Sequence, residues 1–334
     1  MKVGIVGCGG IAQVHGTCLS RLNDVNISCF CDIKIERAKK MQDMYGGNVY
    51  DSLTSMLEHE DIDVLHICTP HYLHVPMALE ARKHHVHVFM EKPPVISRKE
   101  YELLKEGNHD TYLGFCFQNR YNPSVIKVKE MIEEGVTGKV LGVRGIVSWS
   151  RNESYYTESE WRGSIDTEGG GVLINQSIHT LDLMHYFMGG TIKAVDAVMT
   201  NHHLKGVIEV EDTMSIYIAY EHGIGNFYAT NSYLKSMPPF IEIECENMRI
   251  RMEELVVTCY YVDGRIISLD IISKEGFGKN YWGAGHLDCI HDFYDCLTNK
   301  KRFKQDLEGV KDTIHLMLDA YESARSHKEV RYHV

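Results

Sequence analysis

The sequence predicts an α/β protein in two parts. A doubly wound parallel sheet is expected over residues 1–118. An α/β domain with a large, mostly antiparallel open sheet is expected over residues 119–334. Three observations predict this. An apolar strand runs straight into a glycine-rich turn at Gly7. Strands and helices then alternate as far as Gln118. Beyond that point the rhythm gives way to β-rich runs with the spacing of hairpins. At 334 residues the chain also exceeds the size at which a single core usually stops growing.

Lys2 to Val6 is the first strand. Gly7-Cys8-Gly9-Gly10-Ile11-Ala12 follows and fits G-x-G-x-x-A. Gly7 permits a tight turn, Gly9 lets the backbone approach a pyrophosphate, and Ala12 is small enough for close helix–strand packing. The helix that follows, expected to run to about Leu22, presents unpaired N–H groups and positive partial charge to phosphate. A second strand, Val25 to Cys31, ends in Asp32, 20 residues after Ala12. A carboxylate there accepts hydrogen bonds from both ribose hydroxyls and repels a 2′-phosphate, which favours NAD over NADP. Lys34 and Arg37 nearby keep dual use open. Gly7, Gly9, Gly10, Ile11, Ala12, Asp32 and Ile33 are the candidate contacts of the nucleotide end.

The pattern continues with a short helix at Ser52 to Glu58 and a buried strand at Val64 to Cys68. A helix at Val75 to Arg82 and a strand at Val86 to Met90 follow. In such sheets ligands lie outside the carboxyl ends of the strands. The glycine turn, Thr69-Pro70 and Glu91-Lys92-Pro93 all meet that criterion. Lys92, between a buried strand and two prolines, is held on stiff backbone at the cleft edge.

Asn119 to Glu134 reads as a helix. Strands are expected at Val140 to Ser150, Ile192 to Thr200, Met214 to Tyr220, Gly225 to Thr230, Phe240 to Cys245, Met248 to Met252, Leu255 to Tyr261 and Arg265 to Leu269. A helix at about Val172 to Phe187 interrupts them, and helices at His286 to Leu297 and Leu307 to Ser323 close the chain. On the interrupting helix Asn175 and His179 are four apart and share a face. Asp182 is placed to orient His179, and Gly169-Gly170-Gly171 allows another backbone or a ligand to come close. Oxidising an alcohol sends a hydride to the cofactor and requires a protein base for the proton. Lys92 and His179 are the candidate bases, with Asn175 holding a neighbouring hydroxyl. Ser150, Arg151, Asn152, Tyr155 and Tyr156 would suit a sugar pocket or an ordinary loop.

The formal net charge is −11, with 44% hydrophobic and 24% charged residues. An acidic chain without a basic face is a poor partner for nucleic acid or anionic membrane. No apolar run approaches the roughly 20 residues of a membrane span. The start does not read as a secretion signal. The ten cysteines are scattered, several in apolar strands, and are expected as reduced thiols in a cytoplasm. With no C-x-x-C pair and no H-E-x-x-H, no metal site is expected. His66, His71, His74, His84, His85 and His87 are expected to line the cleft or meet solvent.

In the order of these motifs the chain resembles the glucose–fructose oxidoreductase / inositol dehydrogenase / MocA-like family over essentially its whole length. The resemblance rests on the Gly7 to Ala12 turn, Cys68-Thr69-Pro70 with His74, and Glu91-Lys92-Pro93. Trp161-Arg162-Gly163, the Gly169 to Asp182 segment, and Gly285-His286 followed by Asp292-Phe293-Tyr294 extend it. It implies a Rossmann domain and a second domain whose open sheet makes homo-dimer or homo-tetramer contacts. It implies NAD as cofactor, hydride transfer at a secondary alcohol of a sugar or cyclic polyol, and Lys92 and His179 at the reacting centre. Thr69, Pro70, His74, the Glu91 backbone and Gln118 would lie around the cofactor, with Trp161 and Arg162 reaching its nicotinamide end. Asn175 departs from the Asp common in inositol dehydrogenases, and an amide cannot relay a proton. Two rival readings remain. A redox-neutral glycosidase with retained NAD would show no net NADH, and a dinucleotide sensor would not need Lys92 and His179.

Overall fold

The computed structural model describes residues 1–107, 110–253, 255–271 and 285–332. It falls into two compact units. One comprises Met1–Gln118 with Gly276–Lys311, of which 285–311 are described, and the other Asn119–Glu275 with Asp312–Val334.

The first unit is built on β1 (Lys2–Val6), α1 (Gly10–Leu19), β2 (Asn26–Cys31), α2 (Ile35–Tyr45), β3 (Asn48–Tyr50) and α3 (Leu53–His59). It continues with β4 (Val64–Ile67), α4 (His74–Lys83), β5 (His87–Met90), α5 (Arg98–Glu106) and β6 (Leu113–Phe115). All six strands are parallel, in the order β3-β2-β1-β4-β5-β6. That is the doubly wound order whose switch point lies between β1 and β4, beside the glycine turn. β4 is buried along its whole length, as a strand covered on both faces must be. Helices α2 and α5 and strands β3 and β6, which the sequence reading passed over, complete the alternation.

The boundary of the second part was expected to hold from residue 119 to the end. Residues 285–311 instead belong to the first unit, because their aromatic side chains complete its core. On the helix His286–Thr298, the Phe293 ring lies 5.0 Å from that of Phe89 and 5.3 Å from that of Phe303. Gln305 finishes the sheet edge: its carbonyl accepts the Phe115 N–H at 3.0 Å, and its side-chain amide bonds both the N–H and the C=O of Phe117.

The second unit opens with α6 (Pro123–Glu133), β7 (Val140–Ser148), α7 (Glu153–Thr157) and α8 (Ile165–Glu168). A π-helix over Val172–Ser177 leads into α9 (Ile178–Met188). Then come β8 (Ile192–Thr200), β9 (Thr213–Tyr220), β10 (Gly223–Thr230), β11 (Phe240–Cys245), β12 (Met248–Glu253), β13 (Val256–Tyr261), β14 (Ile266–Leu269), the helix Lys311–Ser326 and β15 (Val330–Arg331). The nine strands form one sheet in the order β14-β13-β12-β11-β7-β10-β9-β8-β15. Every pairing is antiparallel except β7 with β10, which run parallel from Gly142↔Ile224 to Ser148↔Thr230. α9 packs on one face of this sheet, where Gly145 leaves room for Met184 and Thr180.

Candidate active site

In the first unit the sequence-predicted cofactor residues come together at the carboxyl ends of the parallel strands. Gly7 has φ +82°, and a Cβ there would lie 2.7 Å from the Cys68 carbonyl group, so only glycine fits between β1 and β4. At Gly9 and Gly10 the opposite holds: a Cβ would meet no atom within 4 Å. These two glycines border open space at the start of α1, which has no side-chain cap. Ala12 is fully buried under the turn.

Asp32 fixes the turn from the other side. Its Oδ2 accepts the Cys8 N–H and its Oδ1 the Lys34 N–H, both at 2.8 Å. A buried carboxylate oriented in this way keeps lone pairs for further donors. Ile33 beside it is 82% exposed. Thr69, at the end of β4, has a buried hydroxyl oxygen with no hydrogen-bond partner among the described residues. An open glycine cradle on a helix N-terminus, a fixed acidic group and an orphaned hydroxyl on the neighbouring strand fit a dinucleotide.

His74, Glu91 and Gln118 are buried. His74 is a strut: its ring nitrogens lie 2.9 Å from the carbonyl oxygens of Thr69 and Pro93, so it ties the loop after β4 to the loop after β5. Burial pushes its pKa below the ordinary histidine value. The Glu91 N–H is taken up by the Ile67 carbonyl at 3.0 Å, so the sheet uses it. The Lys92–Pro93 peptide is cis, and the Lys92 N–H donates to Glu91 Oε2 at 3.3 Å.

The Glu91 side chain carries a network that the sequence reading missed. His15 Nε2 lies 2.9 Å from Glu91 Oε1, the Nδ1 atoms of His15 and His66 lie 2.8 Å apart, and His66 Nε2 lies 3.0 Å from the Tyr294 hydroxyl. Burial opposes ionisation of Glu91, but the His15 hydrogen bond and the charges of His15, His286 and Lys92 hold its carboxyl far below the usual range. An ionised carboxylate only accepts, so His15 donates to it from Nε2. His66, His71 and His74 are therefore core residues rather than the cleft-lining or solvated ones expected. His66 is pushed well below the ordinary value by burial and by His15. The ligand atoms of His15, Glu91 and Cys116 lie within 4.8 Å of one another, a spacing that would also suit a metal ion. In this chain the His15–Glu91 bond closes the cluster on itself.

In the second unit Asn175 sits in the π-helix and His179 in the first turn of α9. A π-turn widens the helix by one residue and is common at functional sites. Asp182 does not orient His179. Its oxygens are held by Arg120 at 2.6 and 2.8 Å and by the Thr313 hydroxyl at 2.6 Å, which anchors α9 to its neighbours. Two of the three glycines make room for protein rather than ligand: a Cβ at Gly170 would collide with the Tyr321 hydroxyl, and one at Gly171 with the Glu211 carbonyl.

Trp161 and Arg162 belong to a stack. The Arg162 guanidinium lies 4.6 Å from the Tyr155 ring centre and 4.8 Å from that of Trp161. Arg151 lies 5.0 Å from Tyr155 and 4.9 Å from Trp149. Of the other pocket candidates, Tyr156 is a core residue packed with Leu204, Ile208 and Val210. Asn152 caps α7 by accepting the Tyr155 N–H.

Sequence reasoning also missed Glu168. This buried carboxylate accepts the Gly163 N–H and the Asn175 side-chain amide, each at 2.5 Å. Burial pushes it up to about 7.

A doubly wound sheet with a glycine cradle and a fixed acid at its switch point defines a dinucleotide-binding protein. Comparison with known proteins gives the family. Residues 1–108 match the family described as "Oxidoreductase family, NAD-binding Rossmann fold", and residues 125–251 match the GFO/IDH/MocA C-terminal domain. The chain belongs to the GFO/IDH/MocA oxidoreductase family, whose cofactor is NAD. Among its relatives, the D-glucoside 3-dehydrogenase of Escherichia coli is 29% identical over 212 residues, 59% of this chain and 57% of that protein. The myo-inositol 2-dehydrogenase of Thermotoga maritima is 26% identical over 200 residues, 59% of this chain and 58% of that one. Each match thus spans less than two thirds of the relative's length. The WlbA dehydrogenase of Bordetella pertussis, solved with NADH and UDP-GlcNAcA, superposes with a TM-score of 0.85 at 25% identity. That similarity covers 100% of this chain and 99% of the other.

Proposed function

We propose that this protein is an NAD(H)-dependent oxidoreductase that moves a hydride to or from a secondary alcohol of a sugar, sugar derivative or cyclic polyol. The observation that carries the reading is the open cradle at Gly9 and Gly10 beside an Asp32 carboxylate already fixed by two backbone amides. Bound there, NAD would supply the hydride acceptor. Gly7, Gly9, Gly10, Ile11, Ala12, Asp32, Ile33 and Thr69 hold it, with Pro70, Gln118, Trp161 and Arg162 also around it. Asp32 favours NAD over NADP by charge. One of the two candidate bases, Lys92 and His179, takes the hydroxyl proton, and Asn175 holds a neighbouring hydroxyl. His74 and Glu91 position the loops. The glucoside and inositol dehydrogenases among the relatives support a polyhydroxylated substrate.

The assembly we propose is a homo-dimer or homo-tetramer through the large sheet. Strand register puts Val198, Tyr217, Ile224, Val256 and Ile266 on the face away from α9, and all five are exposed in the single chain. No helix among the described residues is long and apolar enough to cross a membrane. The ten cysteines are all unpaired and buried, which supports a cytoplasmic setting.

The test is absorbance of the reduced nicotinamide with NAD and with NADP, against a panel of sugars, inositols and glycosides. Net NADH formation supports a dehydrogenase. Substrate cleavage without net NADH supports the redox-neutral glycosidase, and dinucleotide binding without turnover of any panel member supports the sensor.

A further inference from the structure

Four buried side chains of the first unit form one unbroken line of hydrogen bonds. The Tyr294 hydroxyl meets His66 Nε2 at 3.0 Å, His66 Nδ1 meets His15 Nδ1 at 2.8 Å, and His15 Nε2 meets Glu91 Oε1 at 2.9 Å. The line joins four elements: the helix His286–Thr298, β4, α1 and the residue just past β5. α1 is the helix that starts at the glycine cradle. The other end of the line is the carboxylate next to Lys92. Glu91 Oε2 accepts the Lys92 main-chain N–H at 3.3 Å, and the Lys92 ammonium is one of the charges that act on Glu91. The His15 ring is locked, because both of its nitrogens are taken. Turning it over would set carbon against His66 and against Glu91.

We propose that His15 is a positioning residue for the reaction: it keeps the Glu91 carboxylate ionised inside the core, and that fixed negative charge sets how firmly Lys92 holds its proton. The inference rests on the reading of Lys92, of the two candidate bases, as the one that exchanges the hydroxyl proton. A buried carboxylate without a donor takes up a proton, because burial disfavours the charged form. Burial is the largest influence on Glu91 and acts in that direction. The His15 hydrogen bond and charge reverse it, with smaller contributions from His286 and Lys92. An anion beside an ammonium favours the charged amine. Lys92 therefore keeps its proton to higher pH than it would beside a neutral acid, which makes it the better proton donor to a carbonyl being reduced. Five groups face Glu91: His15 from α1, Lys92 next in the chain, His286 from the C-terminal helix of this unit, Cys68 after β4 and Cys116 after β6. Burial pushes both thiols up and His286 down to about 4, so none of the three is charged at neutral pH. His74, which also feels Glu91 and Lys92, is lowered by burial as well. Among all these groups Glu91 is the one that carries negative charge.

The test reads Lys92 itself, in protein labelled with 13C at the lysine Cε, with its signal assigned by its loss in Lys92→Ala. Glu91→Gln replaces the carboxylate by an amide of the same shape, and the Lys92 titration is expected to move to lower pH by at least about one pH unit. His15→Leu removes the donor, Glu91 takes up a proton, and the Lys92 titration moves the same way. Combining the two substitutions moves it no further than either alone. His15→Gln, whose side-chain amide donates to Glu91, returns the titration to that of the parent. With the best substrate of the sugar, inositol and glycoside panel, the pH profile of kcat follows the same shifts. NAD affinity, measured on each variant, reports intact folding, and Glu91→Gln carries the same expectation should His15→Leu not fold. In the unaltered protein, 15N signals place a proton on His15 Nε2 at neutral pH. A Lys92 titration indifferent to Glu91→Gln or to His15→Leu, an unrescued His15→Gln, or a bare His15 Nε2 overturns the inference. Those results leave the proposed function standing if Lys92→Ala is inactive. An active Lys92→Ala removes the reading of Lys92 beneath it, whatever the titrations show.

Discussion

The Asp32 carboxylate holds the glycine turn by its Cys8 amide at 2.8 Å, so the group that would select the cofactor also shapes the loop that would receive it. Substituting Asp32 with Ser therefore does two things. It removes the charge that repels a 2′-phosphate, and it loosens the turn. A hydrogen bond to a charged group contributes about 2 kcal/mol, roughly thirtyfold in affinity. NAD binding is expected to weaken by about that factor while NADP binding weakens less. Calorimetric titration with both dinucleotides checks it, and an unchanged NAD/NADP ratio would contradict the assignment.

Gly7 and Gly9 are two residues apart, yet their alanine variants part company. Gly7→Ala must place a Cβ 2.7 Å from the Cys68 carbonyl at φ +82°, and destabilisation of at least about 2 kcal/mol is expected. Gly9→Ala meets nothing within 4 Å, so the apo protein keeps its melting temperature. Its NAD affinity nevertheless drops at least tenfold, because the methyl group enters the cradle. Melting curves with and without NAD separate the two outcomes.

Lys92→Ala is expected to abolish turnover while leaving NAD binding within a few-fold of the parent, since Lys92 follows the strand end and the glycine cradle lies elsewhere. Stopped assays beside binding titrations give the answer. Retained turnover would remove Lys92 from the reaction.

Breaking the buried Arg120–Asp182 pair should be severe. Arg120→Ala leaves the Asp182 carboxylate buried with the Thr313 hydroxyl as its remaining bond among the described residues, and losing one partner of a buried pair costs about 3–5 kcal/mol. Denaturant unfolding measures it. A loss below about 1 kcal/mol would mean that α9 is anchored by packing alone.

Glu168 also bears on stability. Its folded-state carboxyl sits near 7 against an ordinary 4.5, so between those values the folded chain holds a proton that the unfolded chain has released. Stability from this group declines as pH rises through that window, by about 1.4 kcal/mol per pH unit at most. Glu168→Gln removes that slope. Unfolding free energies at pH 5, 6 and 7 for the two proteins test the sign.

The residues that the sequence placed correctly are those whose cause is local. The strand–glycine–helix order and the acid closing β2 follow from turn geometry and periodicity within about 30 residues. What escaped notice is joined across long stretches. His15 and His66 are 51 positions apart, and His66 and Tyr294 are 228 apart, so no spacing marks them as one network. Glu168 looked like an ordinary charged residue before a glycine run, because the groups whose charges act on it, Tyr321 and Glu211, come much later in the chain. Asp182 was misjudged for the same reason: helix geometry puts it near His179, but Arg120 and Thr313 claim it. A π-turn leaves no mark in a hydrophobic pattern.

Phe293, Phe303 and Gln305 finish the core and edge of a unit whose other strands all end by residue 115. The nucleotide-binding half therefore cannot close when its own strands have left the ribosome. It must wait, with Phe89 and Phe115 uncovered, until about 190 more residues have been made, a span that carries most of the other unit. Residues 285–311 act as a delayed clasp, and a fragment cut at Gln118 is expected to clump rather than stand as a free domain.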